Sequence, residues 1–433
     1  MGRDSDILVG LDLGTSKITV TVAELAEDNP GEAQIIGIGQ APSRGMLKGK
    51  IVNLEQAISS VSDAIADAES MLSGIKISRA VVAYSCPEAR CYHVKGMISL
   101  GRAARQITRE DLERVIETAL SNIKLEPNWA VIHTLPIKYA IDDIGGIDSP
   151  LDMTGMKLEV ELTAITVPVT IGQNVVNCVR KAGVKVTGLI LKPLAEALGA
   201  LSPDERAIGA SLISIGGGTT SFTVVYEGRL MHASELAVGG DHVSNDISLL
   251  LKIPITYAEK MKKELSAAPD ETPSGIITLD IRGHKQEIDK AEAADIAAAR
   301  LEQLFADNIA PGIEALENKG ISTEIVMNGG VMLTPGIKAL AESHLKRDIR
   351  IGTPVLGSEM PEGRNDCRYC AAAGIIVYLT ERRKNPFAYV EPPMTVFKFD
   401  VSKDEGTKKP VRKSDSKVKT LLRWGKDVMK ELF

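Results

Sequence analysis

No stretch of this chain approaches the ~18 consecutive apolar residues that a membrane-spanning helix needs, and its N-terminus carries no apolar signal-peptide core. Met1-Gly2 would open a myristoylation motif, but Asp6 stands where that motif requires Ser or Thr. Cysteine is scarce. Five in 433 residues make no disulfide framework and suit a reducing cytoplasm. Cys367 and Cys370 form a CxxC without the second matched pair of a zinc site or a thioredoxin-like context, so they read as ordinary residues at a helix start. The six histidines form no i, i+4 metal pair and no nucleophile triad. A net charge of −6 gives no reason to expect nucleic acid as a partner. What remains is an ordinary globular composition, 44% hydrophobic and 25% charged, in a chain long enough for about two or three domains.

Glycine, by contrast, is concentrated where it does chemical work. Residues 211–226 read SLISIGGGTTSFTVVY, an apolar strand, three glycines with two threonines, and a second apolar strand. β-Branched and alternating residues on both sides predict a hairpin whose turn carries almost no side chain. Such a backbone approaches a ligand closely and points several N–H groups at one anion, as a triphosphate requires. Residues 7–20, ILVGLDLGTSKITV, repeat the design, so one module is used twice and two hairpins can grip a phosphate chain from both sides. Asp12 ends the first strand, where a carboxylate can hold the water shell of Mg²⁺. Lys17 is placed to meet phosphate oxygens.

The duplicated pattern resembles the actin and heat-shock-protein-70 ATPase superfamily, with DLGTSK as the first phosphate loop and IGGGTT as the second. Within it the chain resembles the FtsA family of bacterial cell-division proteins, through SRGMLKGKIVN at 43–53, ITREDLERV at 107–115, HTLPIKYAID at 133–142, DMTGMKLEVEL at 152–162 and VGGDHVSNDI at 238–247. The resemblance implies an α/β, actin-like fold: two duplicated domains around a nucleotide cleft, with an FtsA-type inserted small subdomain. On this reading residues 1–85 and 165–192 form the first core and 86–164 the insertion. Residues 193–242 and 311–362 form the second core, and 243–310 the second small subdomain. Residues 363–390 carry a connecting helix back to the first core.

ATP and Mg are the cofactors the resemblance implies. Asp12, Gly14, Thr15, Ser16 and Lys17 would face the phosphates from one side, and Gly216, Gly217, Gly218, Thr219 and Thr220 from the other, with Asp12 also at the metal. Gly239 and Gly240 form a further turn before a helix. Glu259 and Lys262, one turn apart, meet ribose and adenine in relatives, or else form an exposed i, i+3 ion pair. IVMNGGV at 325–331 resembles the adenosine loop, with Asn328, Gly329 and Gly330 close to the base.

Periodicity supplies helices over 53–72 and 108–123, the latter capped by Thr108, and a strand pair at 275–290. A long helical stretch at 291–318 is expected to break near Pro311. Helices at 194–201 and 370–379, the second with the small-residue face CAAAG, read as interdomain connections. Three positions depart from the superfamily. Ser214 replaces the aspartate that often opens the second phosphate loop. Lys192 stands where several relatives carry an acid or amide that orients water. DIAAAR at 295–300 leaves only Arg300 near the place of an E-P-R context in the helix that binds the FtsZ C-terminal peptide. Without the first two groups phosphoryl transfer is expected to be slow or absent.

Past residue 391 the chain turns proline- and charge-rich, and 391–417 read as a flexible linker. In 418–433 a helical period gathers Val418, Leu421, Leu422, Val428, Met429, Leu432 and Phe433 on one face, flanked by Trp424, with Lys419, Arg423, Lys426 and Lys430 beside it. Residues 402–433 hold ten Lys and Arg against five Asp and Glu. A basic amphipathic helix on a loose tether suits an anionic bilayer surface. The expectation is thus an ATP-binding division protein that polymerises on the inner face of the cytoplasmic membrane, tethers FtsZ filaments and recruits later division proteins. An actin-fold sugar kinase or exopolyphosphatase, or a pilus-assembly adaptor related to FtsA, is the alternative.

Overall fold

A computed structural model of the chain describes residues 7–25, 32–268, 271, 273–281, 283–318, 320–321, 323–356, 360–385, 388–390 and 394–397. They fall into two compact units, one of Met1–Ala89 with Cys178–Lys384 and one of Arg90–Asn177 with Asn385–Phe433. Of the segment 391–417 read as a flexible linker, only 394–397 is described, as the short 3-10 helix Met394–Phe397 with Phe397 buried. The rest of it and the amphipathic segment 418–433 lie outside the described residues. Among those described, no helix is long and apolar enough to cross a membrane.

The larger unit contains one architecture twice. Its first sheet runs, edge to edge, Lys185–Leu191, Arg79–Tyr84, Ile7–Leu13, Lys17–Leu25, Ala33–Pro42. Its second runs Ile349–Ile351, Glu324–Asn328, Ala210–Ile215, Thr220–Tyr226, Arg229–Leu236. In each, three consecutive strands form an antiparallel meander, and the first strand of that meander also pairs in parallel with a later strand. The central strands are apolar on both faces, as a sheet covered on both sides demands. Leu54–Met71 covers the first sheet, with Asn53 capping its N-terminus by accepting from the Gln56 amide. Its backbone lies so close that a Cβ on Gly39 would fall 2.2 Å from the Ala68 nitrogen. Met71, at the last helical position, is exposed.

Two helices link the repeats, Lys192–Ala200 and Cys370–Lys384. They cross backbone to backbone: a Cβ on Gly199 would lie 1.9 Å from the Cys370 carbonyl oxygen, and one on Gly374 1.7 Å from that of Ala195. Both cysteines of the CxxC are buried free thiols, and no group of three His, Cys, Asp or Glu among the described residues has metal-binding geometry.

The break expected near Pro311 is absent. Lys290–Gln303 continues through a π-helical turn, Leu304–Ile309, straight into Ala310–Glu317. The wider turn takes up the missing N–H and the ring of proline, which a regular helix has no room for. Leu301, Leu304, Phe305 and Ile309 stay buried through it.

In the smaller unit a four-stranded antiparallel sheet, in the order Ile144–Ile147, Trp129–Ile141, Lys157–Pro168, Arg90–Ser99, is covered by the helix Arg109–Ser121. Thr108 and Asp111 form its capping box, and Arg105 clamps Asp111 through two hydrogen bonds of 2.7 Å. Those bonds hold the Asp111 carboxyl well below the usual range. Thr134 and Val390 exchange backbone hydrogen bonds of 3.0 Å.

Candidate functional site

The first hairpin keeps strict register up to Leu13 and Ile18, so Gly14, Thr15 and Ser16 make its tip. The second keeps register up to Ile215 and Thr220, and the Gly216 amide closes the turn on the Thr219 carbonyl at 2.9 Å. The tips touch. A Cβ on Gly217 would stand 2.0 Å from Ser16 Oγ, and one on Gly218 2.6 Å from Thr15 Oγ1. Only glycine permits this approach. The Gly49 amide donates to Thr15 Oγ1 at 3.1 Å, and the hydroxyls of Ser85 and Thr219 lie 3.3 Å apart.

The other expected residues gather around the second tip. Gly240 and Asp241, opening the helix Gly240–Leu250, donate their amides to the Gly216 and Gly217 carbonyls at 2.9 and 2.8 Å. A Cβ on Gly239 would lie 2.5 Å from the Gly217 oxygen. Lys262 donates to the Gly240 carbonyl at 3.1 Å and pairs with Glu259, which also accepts from the Ser244 hydroxyl. The i, i+3 pair is therefore packed against the Gly239–Gly240 turn, with Lys262 7% exposed rather than solvated. Gly329 has φ of +96°, and a Cβ there would sit 2.4 Å from the Ile215 oxygen, whereas a Cβ on Gly330 would meet nothing within 4 Å. Asn328 Oδ1 is buried with no hydrogen-bond partner among the described residues. One region thus holds residues 12–17, 216–220, 239–240, 259, 262 and 328–330. The expected lipid-facing residues from Val418 to Phe433 lie outside the described chain.

Beneath the first tip lies a buried charge cluster that sequence reading saw only in part. Lys17 Nζ is buried without a hydrogen-bond partner among the described residues and sits 3.6 Å above the Tyr369 ring. Burial lowers its pKa to about 8, with Arg368 and Lys192 pushing the same way and Asp12 opposing. Lys192 donates to Asp12 Oδ2 at 3.3 Å and stands 3.2 Å from Oδ1, where the charges attract without hydrogen-bond geometry. Burial disfavours the Lys192 ammonium, but Asp12, Glu196 and Glu235 outweigh it and raise its pKa.

Glu196, one helical turn beyond Lys192, accepts from the Ser221 hydroxyl at 2.9 Å, and Glu235 accepts from the Cys86 amide at 2.5 Å. Burial raises both carboxyls, Glu235 to about 7. Neither acid was singled out from sequence. The i, i+4 spacing of Lys192 and Glu196, and a lone acid in the strand RLMHASEL, were the available signals.

A fit to two ligands can be read from these atoms. A phosphate chain fits: glycine tips without side chains flank an ammonium that has no hydrogen-bond partner among the described residues. A hydrated divalent cation on Asp12 does not fit this arrangement, since both carboxylate oxygens already face the Lys192 ammonium and Ser214 brings only a hydroxyl.

A family description, "Cell division protein FtsA", matches residues 211–374, and a second, "SHS2 domain inserted in FTSA", matches residues 87–166. The cell division protein FtsA of Pseudomonas aeruginosa is 31% identical over 430 residues, 98% of each chain. That of Bacillus subtilis is 31% identical over 380 residues, covering 87% of this chain and 84% of its own. Among solved structures, a chain of a PilM-PilN type IV pilus biogenesis complex superposes with a TM-score of 0.61 at 14% identity, over 86% of this chain and 98% of that one. At that identity the likeness concerns fold alone. The twice-used sheet architecture and the inserted unit make the fold actin-like.

Proposed function

The chain belongs to the FtsA family of cell division proteins, and from that premise we propose that it binds ATP between its two glycine hairpins and serves as a membrane-attached, filament-forming adaptor. The observation that carries the nucleotide reading is the Lys17 ammonium, buried without a hydrogen-bond partner beside two touching glycine turns. A buried cation in that state calls for an anion.

Turnover is slow on this reading. Ser214 is a hydroxyl where a carboxylate would help, and Lys192 faces Asp12 as a cation, so neither of these two positions supplies an acid or amide to orient an attacking water. Nucleotide then acts as a ligand that biases the arrangement of the two repeats and the polymer state rather than as a fuel. The terminal helix, through Val418, Leu421, Leu422, Trp424 and the other apolar residues of that face, holds the protein to the inner face of the cytoplasmic membrane. There it anchors filaments of FtsZ through that protein's C-terminal peptide and recruits later division proteins. In the second small subdomain Arg300 is paired with Asp246 at 2.5 Å, so its engagement by a peptide requires exchange of that partner.

The test is titration of a fluorescent ATP analogue into the full chain and into Lys17→Met. The wild type binds at micromolar concentration and the variant at least tenfold more weakly. Absence of binding at millimolar ATP overturns the reading, as does turnover above about 1 s⁻¹ that is lost in Asp12→Ala, since typical enzymes work at roughly 1–10³ s⁻¹. Co-sedimentation with vesicles containing phosphatidylglycerol, for the full chain against residues 1–401, tests the anchor. Equal pelleting of the two removes it.

A further inference from the structure

The buried pair of Lys192 and Asp12 occupies the place where the first phosphate loop was expected to hold a hydrated metal. Lys192 comes from the start of a connecting helix, and its Nζ lies 3.5 Å from where a Cβ on Gly14 would stand, directly against the phosphate turn. Its side chain is 17% exposed and that of Asp12 4%, so this is an interior pair and no surface salt bridge. Asp12, Glu196 and Glu235 together hold it charged despite its burial.

From these atoms we infer that Lys192 is the built-in counter-ion of the site, and that the chain binds the phosphates of a nucleoside di- or triphosphate without a divalent cation. The inference rests on the nucleotide reading above and deepens it. Charge supports it: Lys17 and Lys192 outnumber Asp12 at the first phosphate turn, so the chain itself leaves a positive charge there to meet an anion. Chemistry supports it as well. An ammonium donates hydrogen bonds directly to phosphate oxygens, whereas a divalent ion reaches a carboxylate such as Asp12 through its water shell. Placing that shell here would require Lys192 to leave both oxygens of Asp12. The departure at Ser214 then follows. With the cation supplied by the chain, a second carboxylate at the loop would have no metal water to hold, and it would face Glu196, whose carboxyl already depends on the Ser214 and Ser221 hydroxyls.

The experiment measures ATP affinity of the full chain in 5 mM EDTA and in 5 mM MgCl₂, by calorimetry. For the wild type the two dissociation constants are expected to agree within about threefold. For Lys192→Gln the affinity in EDTA falls at least tenfold and Mg²⁺ restores most of it. A wild type that loses tenfold or more in EDTA overturns the inference while leaving the nucleotide reading intact. Absence of ATP binding in both buffers overturns the nucleotide reading itself. If Lys192→Gln does not fold, as judged by circular dichroism, Lys192→Arg takes its place. It keeps the charge, so metal-independent binding is expected to survive, and binding by Lys192→Arg that requires Mg²⁺ counts against the inference. The wild-type comparison decides in either case.

Discussion

Lys17 and Glu235 carry their charges into an interior that resists both, and each therefore ties a measurable property to pH. For Lys17 burial lowers the pKa to about 8, so between about 8 and the ordinary 10.5 the unfolded chain holds a proton that the folded chain has released. Its effect on stability is a penalty below pH 8 that is relieved as pH rises through that window. Phosphate binding runs the other way, because the anion needs the ammonium. ATP affinity should be flat up to about pH 8 and fall by up to tenfold per unit above it, and Lys17→Met should abolish that slope; calorimetry at pH 7, 8 and 9 reads both. Glu235, raised to about 7 by burial, holds a proton in the folded state between its ordinary 4.5 and 7. Its contribution to stability is present below the lower value and lost as pH climbs through 7. Glu235→Gln should flatten the denaturation midpoint between pH 5 and 8 and raise it at pH 8, and unchanged pH dependence would count against this assignment. Of these two groups only Lys17 was legible as a site residue. A sequence shows that a lysine follows a Gly-Thr turn, but an acid in a strand declares nothing until the Cys86 amide is found against it.

Elements were more legible than single side chains, because their signals are periodic and local. The hairpins and the helices read over 53–72 and 108–123, the second with its Thr108 cap, followed from β-branched runs, spacing and cap chemistry, whereas the Asn53 cap and the Asp111 half of the capping box came from the structure. The small-residue face CAAAG marked a close helix crossing, and Gly374 indeed lies within contact of the backbone of Lys192–Ala200. A Cβ there has nowhere to go, since the opposing atom is a main-chain carbonyl that no rotamer moves. Gly374→Val should destabilise the chain by more than about 3 kcal/mol, or leave it insoluble, whereas Ala373→Ser should change its melting temperature by only a few degrees. A Gly374→Val protein that melts with the wild type would place the crossing elsewhere. The Pro311 region escaped the same reasoning. Proline predicts an interruption, and whether that interruption is a break or a π turn depends on whether Leu304, Phe305 and Ile309 have a core to stay in, which is a property of the neighbouring elements.

On the scale of the whole molecule, the candidate site joins residues from both halves of a duplicated fold, so ligand binding and stability are linked. A ligand at a hundred times its dissociation constant stabilises by about 2.7 kcal/mol. ATP should therefore raise the melting temperature of the full chain by several degrees, and Lys17→Met should lose most of that rise; scanning calorimetry with and without ATP checks it. What the sequence determined alone was the duplication, the glycine turns, the segment inserted after the first half and the family, because each is written in contiguous residues whose spacing carries the signal. What only the tertiary structure decided was which charges share one low-dielectric interior. Asp12, the helical turn that carries Lys192 and Glu196, and Glu235 stand far apart along the chain, and the energy of a buried charge depends on distances of a few ångströms that contiguous spacing does not encode.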